Sequence, residues 1–333
     1  MVARRQYFRR SLFLFGDSMI ERIIPRDETH WKQLRLLDIT STEVSALFGL
    51  SPYATHFETF HRKRDQVIIN FAANARMKWG TRLQNSIAAG IAEDNGWQVR
   101  EMKEYVRDPE TRMGSSFDFA VVENLPVTPE ASALHSLKDV AILEIKNVDG
   151  LAFRNGWEIN GDDIEAPAHI ELQVQHQLAL TGLPVAYIGA LIGGNEVKLL
   201  KREPDKAVIA KIIDAVKKFW ESIRLNCPPA PDFARDAEFI SKLYSFADPG
   251  KIVPASESVR QLAETYKHFG DMEKEAKAQK DAAKAEILTI IGDAEKCKGE
   301  TFTISASVIG PSTYEVNREA YRTFKINWRK VNK

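Results

Sequence analysis

The sequence predicts an α/β protein, with a mixed central sheet flanked by helices and a mainly helical C-terminal extension ending in short strands. Three observations predict it. Apolar periodicity over residues 77–226 changes in the order helix, three strands, helix, two strands, helix, the pattern of a sheet layered between helices. Within it, Ala141-Ile142-Leu143-Glu144-Ile145 is an apolar run holding one carboxylate, bounded by Asn147 and Gly150, and it reads as a buried strand. Beyond Cys227-Pro228-Pro229-Ala230-Pro231 the composition turns to Ala, Lys and Glu over residues 256–291, which reads as one long helix. These breaks give an N-terminal arm over residues 1–29, a central domain over 30–231 and an extension over 232–333.

In chain order, Arg4, Arg5, Arg9 and Arg10 precede the short apolar run Leu12 to Phe15. Asp17 and Glu21 follow at once and no small-residue cleavage site appears, so this segment reads as a basic leader or fraying arm. Thr40 or Ser41 is positioned to cap a helix that Gly49 ends. Ser51-Pro52-Tyr53 opens another, with Phe57, Phe60 and Lys63 at helical spacing; Arg62, Lys63 and Arg64 at its end read as a solvated terminus or a small basic cluster. Residues 77–95 form an amphipathic helix through Leu83, Ile87 and Ile91, stopped at Gly96, with Trp79 read as core. Strands are expected over 98–107, 113–122 and 141–146, with a surface insertion at 124–139 marked by Pro126 and Pro129.

Residues 150–167, with Arg154 and Trp157, read as a polar functional loop. A helix over 168–181 ends at Gly182, strands over 186–192 and 196–201 turn at Gly193-Gly194-Asn195, and Pro204 opens a helix reaching Asn226. In the extension, helices are expected over 233–246 and 256–291. The second carries Val259, Leu262, Tyr266, Phe269 and Met272 as apolar positions, either a coiled-coil arm or a packed hairpin partner, and strands follow over 300–309 and 321–328.

The 333 residues are 44% hydrophobic and 28% charged, enough to bury a core. Lys plus Arg and Asp plus Glu both number 46, so the overall charge neither favours nor excludes nucleic acid; a local basic surface would decide that. The two cysteines, Cys227 and Cys297, have no metal-ligand spacing and suit a reducing compartment. No run is long enough to span a membrane.

The chemistry concentrates between Gly114 and Lys146. Side chains two apart on a strand share a face, so Glu144 and Lys146 project together. A buried carboxylate is costly unless it is paired or binds a metal. If the strand carrying Asp118 is a neighbour, Asp118 and Glu144 can clamp a hard divalent cation through oxygen, with Lys146 placed to orient water or steady phosphate charge. By themselves the same residues would also make an ordinary edge-strand ion pair. Asp, a gap, then Glu-x-Lys is the signature of the PD-(D/E)XK nucleases.

Other blocks agree with that signature, in order: Trp31-Lys32-Gln33-Leu34-Arg35 with residues 39–44, Ser51-Pro52-Tyr53, Trp79-Gly80, Ser116-Phe117-Asp118, Leu143-Glu144-Ile145-Lys146 and Leu172-Gln173-Val174-Gln175. On these residues the chain resembles the YqaJ-like viral recombinase family, which includes phage lambda exonuclease. The resemblance implies a PD-(D/E)XK core and a Mg²⁺- or Mn²⁺-dependent deoxyribonuclease, with two ions, that degrades one strand of duplex DNA from its 5′ end for recombination. It implies Asp118, Glu144 and the Ile145 carbonyl as metal ligands, Lys146 as the catalytic lysine, Gln173 as a catalytic-site glutamine that supports the site and Arg35 as the 5′-phosphate ligand. His169, four residues before Gln173, reads as structural.

The resemblance further implies double-stranded DNA ends as substrate, a single-strand annealing protein as partner, a homo-oligomer such as a trimeric ring, and the cytoplasm of a bacterial or phage-infected cell. Two positions depart from the family. Gln84 stands where a metal-binding carboxylate is usual, and Phe119 where glycine is usual. An amide oxygen can still ligate a cation but brings no charge. The alternatives are therefore a related metal-dependent endonuclease, or a DNA-end-binding protein weakened in catalysis by Gln84.

Overall fold

The computed structural model describes residues 6–9, 19–68, 75–124, 137–161, 163–313, 315 and 322–328. Most of the basic leader and of the 124–139 insertion lies outside them. The chain divides into two compact units, Met1–Phe239 and Ile240–Lys333.

The first unit runs β1 (Gln6–Arg9), β2 (Met19–Ile23), α1 (Glu28–Leu37), β3 (Ile39–Thr40), a 3₁₀ turn (Val44–Phe48), α2 (His56–Arg64) and α3 (Ala75–Asn95). Then come β4 (Gln98–Glu101), β5 (Tyr105–Asp108), β6 (Met113–Ser115), β7 (Phe119–Asn124), β8 (Leu137–Val148), α4 (Gly150–Gly156), β9 (Glu158–Asn160) and β10 (Asp163–Glu165). It closes with α5 (Ala168–Thr181), β11 (Ala186–Ile192), β12 (Glu196–Arg202) and α6 (Lys206–Arg224).

Two five-stranded sheets result. One has the order β1-β2-β5-β6-β3; the other, β12-β11-β8-β7-β4, is mixed, because β8 pairs antiparallel with β7 but parallel with β11. Alternation along β8 sends Leu143 and Ile145 to one face, against Ile87 and Ile91 of α3. It sends Ile142 to the other face, against Ile170, Val174 and Leu178 of α5. The sheet is thus sandwiched between α3 and α5, as expected. Gly189 of β11 has no side chain because Ile91 of α3 lies against its backbone, so a Cβ there would collide with it. Phe119, in place of the family's usual glycine, fills the α3 face beside Leu143.

The structure corrects several expectations. The strands expected over 98–107 and 113–122 are each two. Residues 102–104 and 116–118 are the crossings by which the chain passes from one sheet to the other, and Met102 N–H bonds the Asp118 carbonyl there at 3.0 Å. The apolar pattern continues across both crossings, so periodicity could not reveal them.

The helix expected from Ser51 starts at His56, capped by Thr55. The Ser51 hydroxyl instead accepts the Tyr53 and Ala54 amides in a turn. Neither Thr40 nor Ser41 caps a helix; the Glu43 carboxylate reaches back to the Thr40 amide at 3.1 Å. Residues 150–167 are a helix and a hairpin rather than an open loop, and Trp157 packs on Phe153 in the core. Trp79 is 55% exposed, with the Arg82 guanidinium over its ring.

In the C-terminal region α7 (Ala237–Leu243) is shorter than expected and runs across the boundary between the units. It is followed by α8 (Glu257–Ile291), capped by Ser256, and by β13 (Lys296–Lys298) paired with β14 (Thr303–Ser305). The strand expected over 321–328 is absent from the described residues 322–328, and β14 pairs instead with β13.

His176 of α5 is fully buried, with Nε2 3.2 Å from the Gly114 carbonyl. Burial pushes its pKa down to about 3, against the smaller opposing effects of that carbonyl and of Glu43. A folded pKa below the unfolded value means the unfolded chain binds the proton more readily. Stability carried by His176 is therefore complete above pH 6.5 and is lost as pH falls toward 3, by up to about 1.4 kcal/mol per pH unit. Urea midpoints at pH 7, 5 and 4 should fall more steeply for the wild type than for His176→Gln, which keeps a donor for Gly114.

Candidate active site

Asp118 ends the crossing segment just before β7. Phe119 lies opposite Leu143 and Ala120 opposite Ile142, which brings Asp118 level with Glu144 on β8. Asp118 Oδ2 accepts the Ile145 N–H at 2.8 Å, and its Oδ1 accepts a hydrogen bond from the Gln84 amide of α3. The structure therefore brings Gln84, Asp118, Glu144 and Ile145 together as expected.

Glu144 is buried, and taking an ionised carboxylate out of water costs several kcal/mol unless its lone pairs are satisfied. They are. Oε1 accepts Lys146 Nζ at 2.8 Å and Gln173 Nε2 at 2.6 Å, and Oε2 accepts Gln177 Nε2 at 2.8 Å. Lys146 Nζ also donates to Gln173 Oε1 at 3.1 Å, so Gln173 bridges acid and lysine. Gln177 was not singled out from the sequence. Its signal is position: it lies one helical turn after Gln173 on the same face of α5. Gln175, inside the same sequence block, turns away, and its side chain accepts the Asp205 amide at the start of α6.

The electrostatics fit a cation site. Burial, then the charge of Glu144, raises the Asp118 pKa to about 7, even though Lys146, the Ile145 amide and Gln84 oppose the shift. Two acids thus crowd one place, and a cation there would relieve them. The available donors are the two carboxylates, the Ile145 carbonyl and the side-chain oxygen of Gln84, all hard oxygens that suit Mg²⁺ or Mn²⁺. Burial would lower the Lys146 pKa, but the Glu144 carboxylate beside it, then Asp118, raises it, so Lys146 is a cation at neutral pH. His169 lies near Lys146, where burial and the lysine charge lower its pKa, and its ring meets Tyr53 edge-on at 5.8 Å.

Arg35 is connected to the carboxylates indirectly. It leaves the last turn of α1, lies over the Trp31 ring at 4.8 Å, and donates to the hydroxyls of Thr40 at 3.2 Å and Thr42 at 3.1 Å. Trp31 Nε1 donates to Ser116 Oγ at 2.8 Å, which ties α1 to the segment carrying Asp118. Neutral hydroxyls hold the guanidinium, so it is not the surface ion pair it could have been.

Lys63 is buried, not solvated. Its Nζ donates to the carbonyls of Arg35 at 2.6 Å and Asp38 at 2.7 Å and to Glu43 at 2.8 Å, fixing the end of α1. Burial would raise the Glu43 pKa, but Lys63, Arg35 and Arg62 together hold it down to about 2. Three cations therefore gather around one carboxylate.

Strand order, one acid just before β7 and one on β8, the lysine two positions on and glutamines from α5 define the architecture. Residues 30–184 match the YqaJ-like viral recombinase domain. A curated relative, "Uncharacterized protein YqaJ" of Bacillus subtilis (strain 168), is 27% identical over 274 residues, 81% of this chain and 79% of that protein. Among solved structures, an alkaline exonuclease from Laribacter hongkongensis is 19% identical with a TM-score of 0.45, over 65% of this chain and 99% of that one. A phage-related exonuclease from Haemophilus somnus 129PT is 12% identical with a TM-score of 0.37, over 59% of this chain and 99% of that one. No helix among the described residues is long and apolar enough to cross a membrane.

Proposed function

We propose that this protein is a metal-dependent deoxyribonuclease that degrades one strand of duplex DNA from its end, 5′ to 3′, exposing the other strand for recombination. The observation that supports it is the joined cluster of Asp118, Glu144, Lys146 and Gln173 inside a YqaJ-like domain. Asp118, Glu144, the Ile145 carbonyl and Gln84, with its amide turned over, would hold Mg²⁺ or Mn²⁺, two ions in the full site. When bound, the metal supplies a hydroxide nucleophile at neutral pH and neutralises charge on the reacting phosphate.

The protein's own groups do the rest. Gln173 and Gln177 fix the carboxylate plane of Glu144, so its orientation is set before substrate arrives. Lys146, charged and held between Glu144 and Gln173, is placed to steady charge on the phosphate or orient the attacking water. Arg35 offers a planar fork to a terminal 5′-phosphate. Double-stranded DNA ends are the proposed substrate, a ring such as a trimer the proposed assembly, and a single-strand annealing protein the proposed partner, in the cytoplasm.

The test is digestion of a linear duplex beside a closed circle of the same sequence. We expect loss of the linear form from its ends and an intact circle; nicking of the circle would instead assign an endonuclease. A second reading follows from Gln84, which brings an amide donor and no negative charge to Asp118. On that reading the wild type binds DNA ends without cutting them, and Gln84→Glu restores cutting.

Arg35→Ala should slow digestion of 5′-phosphorylated duplex roughly 10- to 100-fold, from the loss of charge-assisted hydrogen bonds worth about 1.5–3 kcal/mol. It should slow 5′-hydroxyl duplex much less. Equal slowing of both in a single-turnover assay removes Arg35 from a phosphate pocket.

A further inference from the structure

Helix α8 carries apolar residues that the described residues of its own unit leave exposed. Val259, Leu262, Tyr266 and Phe269 are each 52–67% exposed, and at the far end Ile287 and Ile290 are 38% and 77% exposed. Phe324 touches Tyr266 edge-on at 5.3 Å and leaves it in this state. Two exposed apolar clusters at the two ends of one helix mark an interaction surface.

The spacing names the partner. Positions at alternating steps of three and four from Val259 to Ile290 are apolar at both ends and trace the seam of a two-stranded coiled coil. The middle of the seam is Glu273, Ala276, Lys280 and Ala283. A parallel second copy would stack Glu273 on Glu273 and Lys280 on Lys280, like charges inside the seam.

An antiparallel second copy removes both clashes. Val259 then lies level with Ile290, and Leu262 with Ile287, so apolar ends meet apolar ends. Tyr266 meets Ala283, large against small, and Phe269 meets the aliphatic stem of Lys280. Glu273 meets Ala276, with Lys277 of the other copy beside it as an opposite charge. The sequence of this one helix is therefore complementary to its own reverse along a seam of nearly 50 Å, at about 1.5 Å per residue.

We infer that α8 is a self-association arm that joins two copies of this chain through an antiparallel two-helix coiled coil. The contact is two-fold, so it joins single chains or rings in pairs, and it is independent of the nuclease reading.

The test uses the full chain with Cys227→Ser and Cys297→Ser. Adding Val259→Cys and Ile290→Cys together should give a covalent dimer on mild oxidation, because one helix cannot bring its two ends together. Val259→Cys alone should stay uncrosslinked. A dimer from Val259→Cys alone, or none from the pair, overturns the antiparallel register. In light scattering, Leu262→Asp with Phe269→Asp should halve the particle mass relative to wild type; an unchanged mass overturns the arm itself.

Discussion

Asp118→Ala and Glu144→Ala are expected to abolish strand cleavage, and Lys146→Ala to lower it by about 10²–10³-fold, the usual effect of removing one pre-placed electrostatic group. The two acids differ in what their loss leaves behind. Without Glu144, Lys146, Gln173 and Gln177 lose their common acceptor, so the lysine and both amides are left in a largely buried place. Without Asp118, the Ile145 amide and Gln84 lose theirs. Lys146→Ala removes a cation but no oxygen donor, so metal binding and DNA binding should survive it. Duplex affinity measured with Ca²⁺ should therefore match wild type while cleavage with Mg²⁺ falls by that factor. A Lys146→Ala protein that cuts at near wild-type rate would leave the Glu144–Lys146 pair as an ordinary ion pair.

Gln84→Glu is expected to lower the Mg²⁺ concentration for half-maximal cleavage more than tenfold and to raise the maximal rate. At an effective dielectric of about 20, a unit charge about 4 Å from a unit positive charge contributes roughly 4 kcal/mol before desolvation. A divalent ion roughly doubles that, and lost carboxylate solvation offsets much of the gain. The hydrogen bond from Gln84 to Asp118 adds a second expectation. A third carboxylate there replaces a donor with a repulsive charge, so the metal-free protein should melt lower than wild type and the Mg²⁺-loaded protein higher. Duplex affinity should change little, because phosphate contacts elsewhere dominate it. An unchanged metal titration would remove Gln84 from the site.

The central pair was legible because strand alternation is a strict rule. Once residues 141–146 read as a buried strand, Glu144 and Lys146 had to share a face, and a buried carboxylate had to have partners. The helix at 168–181 and the hairpin at Gly193-Gly194-Asn195 were legible from their end signals, and both glycines adopt the left-handed backbone that such turns need. The sheet crossings at 102–104 and 116–118 were not, because apolar alternation on either side of a crossing looks like one strand. Lys63 was misread for its neighbours Arg62 and Arg64, although its spacing from Phe57 and Phe60 already placed it on the inner face of α2. Gln177 was hidden because a glutamine in a helix is unremarkable until the carboxylate it serves is located in space. Trp79 shows the converse: a large aromatic at helical spacing was read as core, and the structure leaves it on the surface under Arg82.

The central claim is that Asp118, Glu144 and Lys146 form a metal-dependent centre for phosphodiester hydrolysis. It is tested most directly by following release of label from 5′-end-labelled linear duplex with wild type and Glu144→Ala side by side, in Mg²⁺, in Mn²⁺ and after chelation. The account predicts early release of labelled mononucleotide by the wild type in either metal, none after chelation, and none from Glu144→Ala under any condition. Release that continues in chelator, or that Glu144→Ala retains, would contradict it.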